Sequence, residues 1–221
     1  MWIKICANTN LEDAKLAAEL GADAVGFVFA PSKRRVTPEQ VADITPHLPA
    51  TVERVGVFDS LDAEEIARAV RIAGLNAIQL HGSPDHALAR RLLDLFHGKA
   101  RIIQTVHWQV DANGTSAVAV AEQLREIARA GIADRVLIDS KVGVATGGTG
   151  VSFNWEQARA TLTENAGPLK LIVAGGLRPE NVAEAIARLK PWGVDVASGV
   201  ESAPGQKDAD KLAAFIKGAR S

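Results

Sequence analysis

The chain has 221 residues, 47% of them hydrophobic and 23% charged, with a formal net charge of -1. That is enough chain to bury a substantial core, and its charge is too evenly balanced for an electrostatic nucleic-acid binder or an acidic tail. No apolar run reaches the roughly 18–20 residues that span a bilayer and no signal-peptide pattern opens the chain, so a cytosolic protein with small-molecule partners is expected.

The first apolar run, Trp2 to Cys6, reads as a strand ending in the single cysteine of the chain. Thr9-Asn10 then offers caps before a helix over Leu11 to Leu20, stopped by Gly21. Ala24 to Phe29 is the second strand, Pro31 to Arg35 a loop, and Thr37-Pro38 a cap and first-turn proline for the next helix. The alternation continues with strands over Arg54 to Phe58 and Ala77 to Leu80, each followed by a helix, Asp62 to Ala73 and Pro84 to Phe96. Gly74 and Gly98 mark their ends.

Arg101 to Val106 reads as strand five, Asp111 to Thr115 as a long turn, and Ser116 to Ala130 as a helix. Strand six, Arg135 to Ile138, runs into Asp139 and a glycine-rich loop from Gly143 to Gly150. Phe153 to Leu162, Leu169 to Val173, Pro179 to Leu189, Val194 to Ala197 and Asp208 to Ala219 complete the series. Eight strand-then-helix units with near-continuous apolar strands fit a single (β/α)8 TIM barrel over residues 1–221. An open doubly wound sheet would give the same alternation, but neither dinucleotide nor P-loop glycine fingerprints are present.

In a barrel, chemistry collects at the C-terminal ends of the strands. Cys6 ends strand one, Arg34 lies in the second loop, His81 closes strand four and Asp139 closes strand six. Gly175-Gly176 and Ser198-Gly199 follow strands seven and eight, where glycine lets backbone N–H groups approach a phosphate. Tight turns would explain the same glycines. Cys6 and Asp139 form a candidate acid–base pair if the thiol is lowered and the carboxyl raised from their ordinary pKa values; a core cysteine and a turn-capping aspartate are the plain alternatives. Arg34 offers a planar fork for a carboxylate, or belongs to a solvated loop cluster with Lys33 and Arg35.

Strand alternation gives Lys4 the same face as Cys6, inside the barrel, and Asp195 on strand eight is the partner it would need. His81 is a ligand or a hydrogen-bonded strand-end residue. His47, His86, His97 and His107 sit in contexts that suggest no shared site, and one cysteine cannot head a Cys-x-x-Cys metal site.

Taken together, Lys4-Ile5-Cys6, Thr9 to Ala14, Gly21 to Phe29, Ser32-Lys33-Arg34, Gln79 to Gly82, Ile138-Asp139, Gly147 to Gly150, Gly175-Gly176-Leu177 with Pro179 to Val182, and Asp195 to Glu201 resemble the phosphoribosylanthranilate isomerases of tryptophan biosynthesis. The resemblance spans essentially the whole chain. It implies an Amadori rearrangement of a phosphosugar substrate, with Cys6 as general base, Asp139 as general acid, Arg34 on the anthranilate carboxylate, His81 in the substrate site, and Gly175, Gly176, Ser198 and Gly199 around the phosphate. It implies no cofactor and no metal.

One departure stands beside the proposed base. The family's glycine-apolar-threonine run is here Ala7-Asn8-Thr9, where a methyl restricts φ and an amide adds a polar group. The rival readings are the histidine-pathway Amadori isomerase, which uses aspartate at the Cys6 position, another phosphosugar epimerase or lyase, and an inactive phosphate-ligand binder.

Overall fold

A computed structural model describes residues 1–59, 62–99, 101–108, 115–140 and 155–221. Eight strands form a closed barrel in chain order: β1 (Trp2–Ile5), β2 (Ala24–Val28), β3 (Glu53–Phe58), β4 (Ala77–Leu80), β5 (Arg101–Trp108), β6 (Arg135–Ser140), β7 (Lys170–Ala174) and β8 (Gly193–Val196). Every neighbouring pair is parallel, and β1 pairs with both β2 and β8. That last pairing excludes the open sheet.

The helices α1 (Leu11–Glu19), α2 (Pro38–Ala42), α3 (Ala63–Ile72), α4 (His86–Leu95), α5 (Thr115–Ala130), α6 (Trp155–Asn165), α7 (Val182–Leu189) and α8 (Ala209–Arg220) alternate with the strands. Side chains satisfy the free N–H groups at several helix starts: Asn10 accepts from Asp13, Thr37 and Gln40 form a capping box, and Asp62, Asp85 and Asp208 cap α3, α4 and α8. A large apolar layer fills the space outside the strands, from Ile3 and Val25 to Phe215. A smaller one, including Val55, Ile103, Leu137 and Ile172, fills the barrel. Strands buried on both faces need apolar residues at both parities, which is why they read as continuous runs.

Three boundaries differ from the sequence expectation in ways that matter for the site. β5 runs two residues past Val106 and so carries His107 on the same parity as Ile103 and Thr105. β6 takes in Asp139 as a strand residue. α7 starts at Val182 rather than Pro179, because the Asn181 side chain accepts from Arg178 N–H and donates to the Gly176 carbonyl, closing a turn before the helix. After β8 the chain makes a 3-10 turn at Ser198–Val200 and an unexpected hairpin of β9 (Glu201–Ala203) and β10 (Gln206–Lys207) before α8. The loop Gly143 to Gly150 and most of the turn Asp111 to Thr115 lie outside the described residues.

The expected Lys4–Asp195 pair is present. The two residues are register partners across β1 and β8, and Lys4 Nζ lies 3.0 Å from Asp195 Oδ1. Lys4 also donates to Gln79 Oε1 at 2.8 Å, and Gln79 donates to Thr105 Oγ1, so one polar chain crosses the barrel interior. Burial opposes the charge on Lys4, but Asp195 and Cys6 outweigh it and hold the ammonium above its ordinary pKa.

Removing one partner of a buried pair strands the other charge. Lys4→Met should therefore cost about 3–5 kcal/mol in urea denaturation, and Lys4→Met with Asp195→Leu should recover most of it. Equal losses in the single and double variants would show that the pair is not what the barrel requires.

Candidate active site

At the C-terminal end of the barrel a cavity of about 400 Å³ is lined by all eight residues singled out in the sequence: Cys6, Arg34, His81, Asp139, Gly175, Gly176, Ser198 and Gly199. They come from the ends of β1, β4, β6, β7 and β8 and from the loop after β2. Sequence separations of up to 193 residues collapse to one opening because parallel strands all end on the same side.

Cys6 is buried just above Lys4. Gly26 makes that possible, since a Cβ there would come within 2.9 Å of both Cys6 Sγ and Lys4 Cε. The expectation of a lowered thiol pKa is not met. Burial pushes the Cys6 thiol up, and the Lys4 and Lys207 charges pull it back only in part.

The departure next to Cys6 has a structural consequence. Ala7 adopts φ 61°, a left-handed conformation that costs a residue with a Cβ roughly 1–2 kcal/mol. Its neighbours hold it there: Cys6 N–H donates to Val196 O at 2.8 Å and Asn8 N–H to Gly26 O at 2.9 Å. Asn8 is fully buried and its amide donates to the carbonyls of Ile5 and Gly26. Asn8 therefore clips the first loop to β1 and β2.

Arg34 is no solvated loop residue. Its Nε and Nη2 grip both oxygens of Glu201 at 2.6–3.0 Å. Lys207, with its side chain fully buried, approaches Glu201 at 3.3 Å and donates to the Cys6 carbonyl at 2.6 Å. Burial would raise the Glu201 carboxyl, yet the Arg34 hydrogen bonds and the Lys207 charge outweigh it and set it below the ordinary glutamate value. Burial lowers Lys207, with Glu201 opposing. Sequence reasoning missed Lys207 and gave Glu201 no role, since opposite charges six residues apart carry no signal until the hairpin folds them together.

The histidine expectation needs correcting. His107 shares a site with His81 and Asp139: the two rings stand edge to face at 4.9 Å, and His107 Nδ1 lies 3.8 Å from Asp139 Oδ2. Burial chiefly lowers the His81 pKa, with the neighbouring imidazole acting in the same direction and Asp139 opposing. Ending strand five at Val106 hid this residue, and continuing the period-two alternation by one step reveals it.

Behind β7, Gly175 and Gly176 adopt φ 91° and 67°, conformations open to glycine. A Cβ on Gly199 would collide with the Leu177 carbonyl, so the loops after β7 and β8 touch through bare backbone. A profile of the family described as N-(5'phosphoribosyl)anthranilate (PRA) isomerase matches residues 3–218.

The chain belongs to this family.

The N-(5'-phosphoribosyl)anthranilate isomerase of Symbiobacterium thermophilum is 41% identical over 236 residues, covering 100% of this chain and 98% of that protein. The enzyme of the same name from Geobacter sulfurreducens is 40% identical over 225 residues, covering 99% and 98%. The crystal structure of phosphoribosyl anthranilate isomerase from Thermotoga maritima superposes with a TM-score of 0.80 at 37% identity, covering 100% of this chain and 98% of that one. A structure of phosphoribosyl anthranilate isomerase in complex with reduced 1-(o-carboxyphenylamino)-1-deoxyribulose 5-phosphate gives 0.79 at 36%, with the same coverage. A 3-hexulose-6-phosphate synthase at 16% identity and a TM-score of 0.69 shares the fold alone.

Among the described residues no helix is long and apolar enough to cross a membrane.

Because its pKa is depressed, Glu201 stabilises the fold fully above the ordinary value of 4.5 and loses that contribution as pH falls through the depressed value. Glu201→Gln should cost about 2 kcal/mol near neutrality, with the gap to the parent closing as pH falls below the ordinary glutamate value of 4.5. Thermal melts across that range check it, and a gap that does not depend on pH would contradict the Arg34 pairing.

Proposed function

We infer that this isomerase converts N-(5-phosphoribosyl)anthranilate to 1-(2-carboxyphenylamino)-1-deoxyribulose 5-phosphate in tryptophan biosynthesis, with Asp139 as acid and Cys6 as base. The observation that carries the assignment of roles is that the ends of β1 and β6 present Cys6 and Asp139 to one cavity, which Arg34 and the two glycine loops also line.

Asp139 protonates the furanose ring oxygen while the anilino nitrogen pushes the C1–O bond open, leaving an iminium. Cys6 then takes the C2 proton, and the electron pair of that bond flows to nitrogen to give the enolamine, which tautomerises to the ketone. The iminium adds a positive charge beside Cys6. It acidifies the C2–H bond and favours the thiolate in the same complex, on top of the pull from Lys4. An aldose-to-ketose rearrangement moves its electrons within the substrate, so the reading includes no redox cofactor.

Arg34 meets the anthranilate carboxylate with the edge that Glu201 leaves free. Nε and Nη2 are committed to Glu201, while Nη1 makes no hydrogen bond to a described residue. Glu201 thus holds in place a guanidinium that lines the cavity and keeps donors uncommitted. His81 borders the sugar, and the backbone N–H groups of Gly175, Gly176, Ser198 and Gly199 surround the phosphate. Substrate and product are phosphorylated acids that membranes retain, which supports a cytosolic location.

Cys6→Ala and Asp139→Asn should each lower turnover by about 10²–10⁴-fold without unfolding the protein, followed as loss of phosphoribosylanthranilate fluorescence. Full activity in either would remove that residue from its role. Arg34→Ala should act mainly on KM, and an unchanged kcat/KM would count against the carboxylate contact. Failure of well-expressed protein to complement a tryptophan auxotroph lacking the isomerase would overturn the reading as a whole.

A further inference from the structure

We propose that His81, His107 and Asp139 form a binding site for one divalent transition-metal ion at the barrel mouth, and that the ion inhibits the isomerase by taking Asp139 as a ligand. The inhibitory half rests on Asp139 being the acid. The binding half stands on geometry alone.

The three residues end or approach the ends of β4, β5 and β6, which are consecutive neighbours in the barrel. Each offers one ligand atom, and these atoms lie within 4.8 Å of one another. A zinc-type ion sits ~2.0–2.2 Å from nitrogen and oxygen ligands, which places neighbouring ligand atoms roughly 3.3–3.6 Å apart. His107 Nδ1 and Asp139 Oδ2, at 3.8 Å, are too far apart for a hydrogen bond and close to such an edge.

The His107 tautomer strengthens the case. Its Nε2 lies 2.9 Å from the backbone carbonyl of His81, and a carbonyl only accepts, so Nε2 carries the proton. In the neutral ring Nδ1 then points a lone pair at a carboxylate oxygen. Two acceptors face each other, and a cation between them satisfies both. The same Nε2–H contact to a carbonyl is the kind that orients a metal-ligating imidazole. The third residue, His81, has its Nδ1 buried without a hydrogen-bond partner among the described residues.

Two imidazoles and one carboxylate select zinc, cobalt or nickel over magnesium or calcium, which prefer all-oxygen sets. His81 and Asp139 line the cavity whereas His107 stands outside its lining, so the open coordination positions face the substrate space. A carboxylate held on a metal ion has no proton to deliver to a ring oxygen.

The test uses the full chain stripped of metal with EDTA and then titrated with Co²⁺, followed by visible absorption and by calorimetry, with Zn²⁺ as competitor. One ion per chain is expected, with ligand-field bands and no thiolate charge-transfer band. His107→Ala should weaken binding at least as much as loss of an outer contact does, about 10–100-fold or more. Its own turnover in EDTA is the reference, and Zn²⁺ should lower turnover of the parent by a much larger factor than that of the variant, each relative to its rate in EDTA. His107→Gln serves if the alanine variant does not fold.

A thiolate band would put the ion on Cys6 and overturn the site. So would the absence of saturable binding, which leaves a proton shared by His107 and Asp139 as the species between them, or an affinity unchanged in the His107 variants. Binding that depends on His107 but leaves turnover untouched would overturn the inhibitory half alone, because the Asp139→Asn turnover decides separately whether Asp139 is the acid.

Discussion

The Lys4–Asp195 pair joins the first strand to the last and sits directly under Cys6. A barrel of parallel strands needs a filled interior, and most of this one is filled by aliphatic side chains. The layer at the base of the cavity is polar instead, with Lys4, Gln79, Thr105 and Asp195 satisfying one another. Such a layer is costly to leave half made, so it pins the register of β1 against β8. It also places a fixed positive charge beneath the one thiol of the chain. The closure of the fold and the electrostatics of the proposed base thus depend on the same contact.

A second polar network does for the loops what the first does for the strands. Glu201 ties Arg34 of the second loop to Lys207 of the hairpin, and Lys207 reaches back to the Cys6 carbonyl. Three segments far apart in sequence are therefore held around the rim by charge-assisted hydrogen bonds. The left-handed Ala7 persists inside this frame because backbone bonds to Val196 and Gly26 fix the peptides on either side. Local strain of that size is tolerated where the surroundings leave no alternative.

Much of the site was legible beforehand because parallel strands impose a simple rule: whatever ends each strand meets at one mouth. Cys6, His81 and Asp139 follow from it directly. Arg34 was placed in the right loop, but its bond to Glu201 was not foreseeable, since that carboxylate belongs to a hairpin with no strong strand signal. His107 was lost to a boundary error of two residues. Strand ends are set by how far the neighbouring strand keeps offering partners, and β6 continues to Ser140 opposite Trp108.

What the sequence determined by itself is the alternation of eight apolar strands with capped helices, the inward parity of Lys4 and Cys6, and the family to which the motifs belong. These are properties of local periodicity and of residue type at short range. Tertiary structure alone decided which carboxylate Arg34 holds, how burial sets the Cys6 thiol, and that two histidines converge on Asp139. Each of those depends on distances between residues on different strands and loops, and on the water that packing removes from around them.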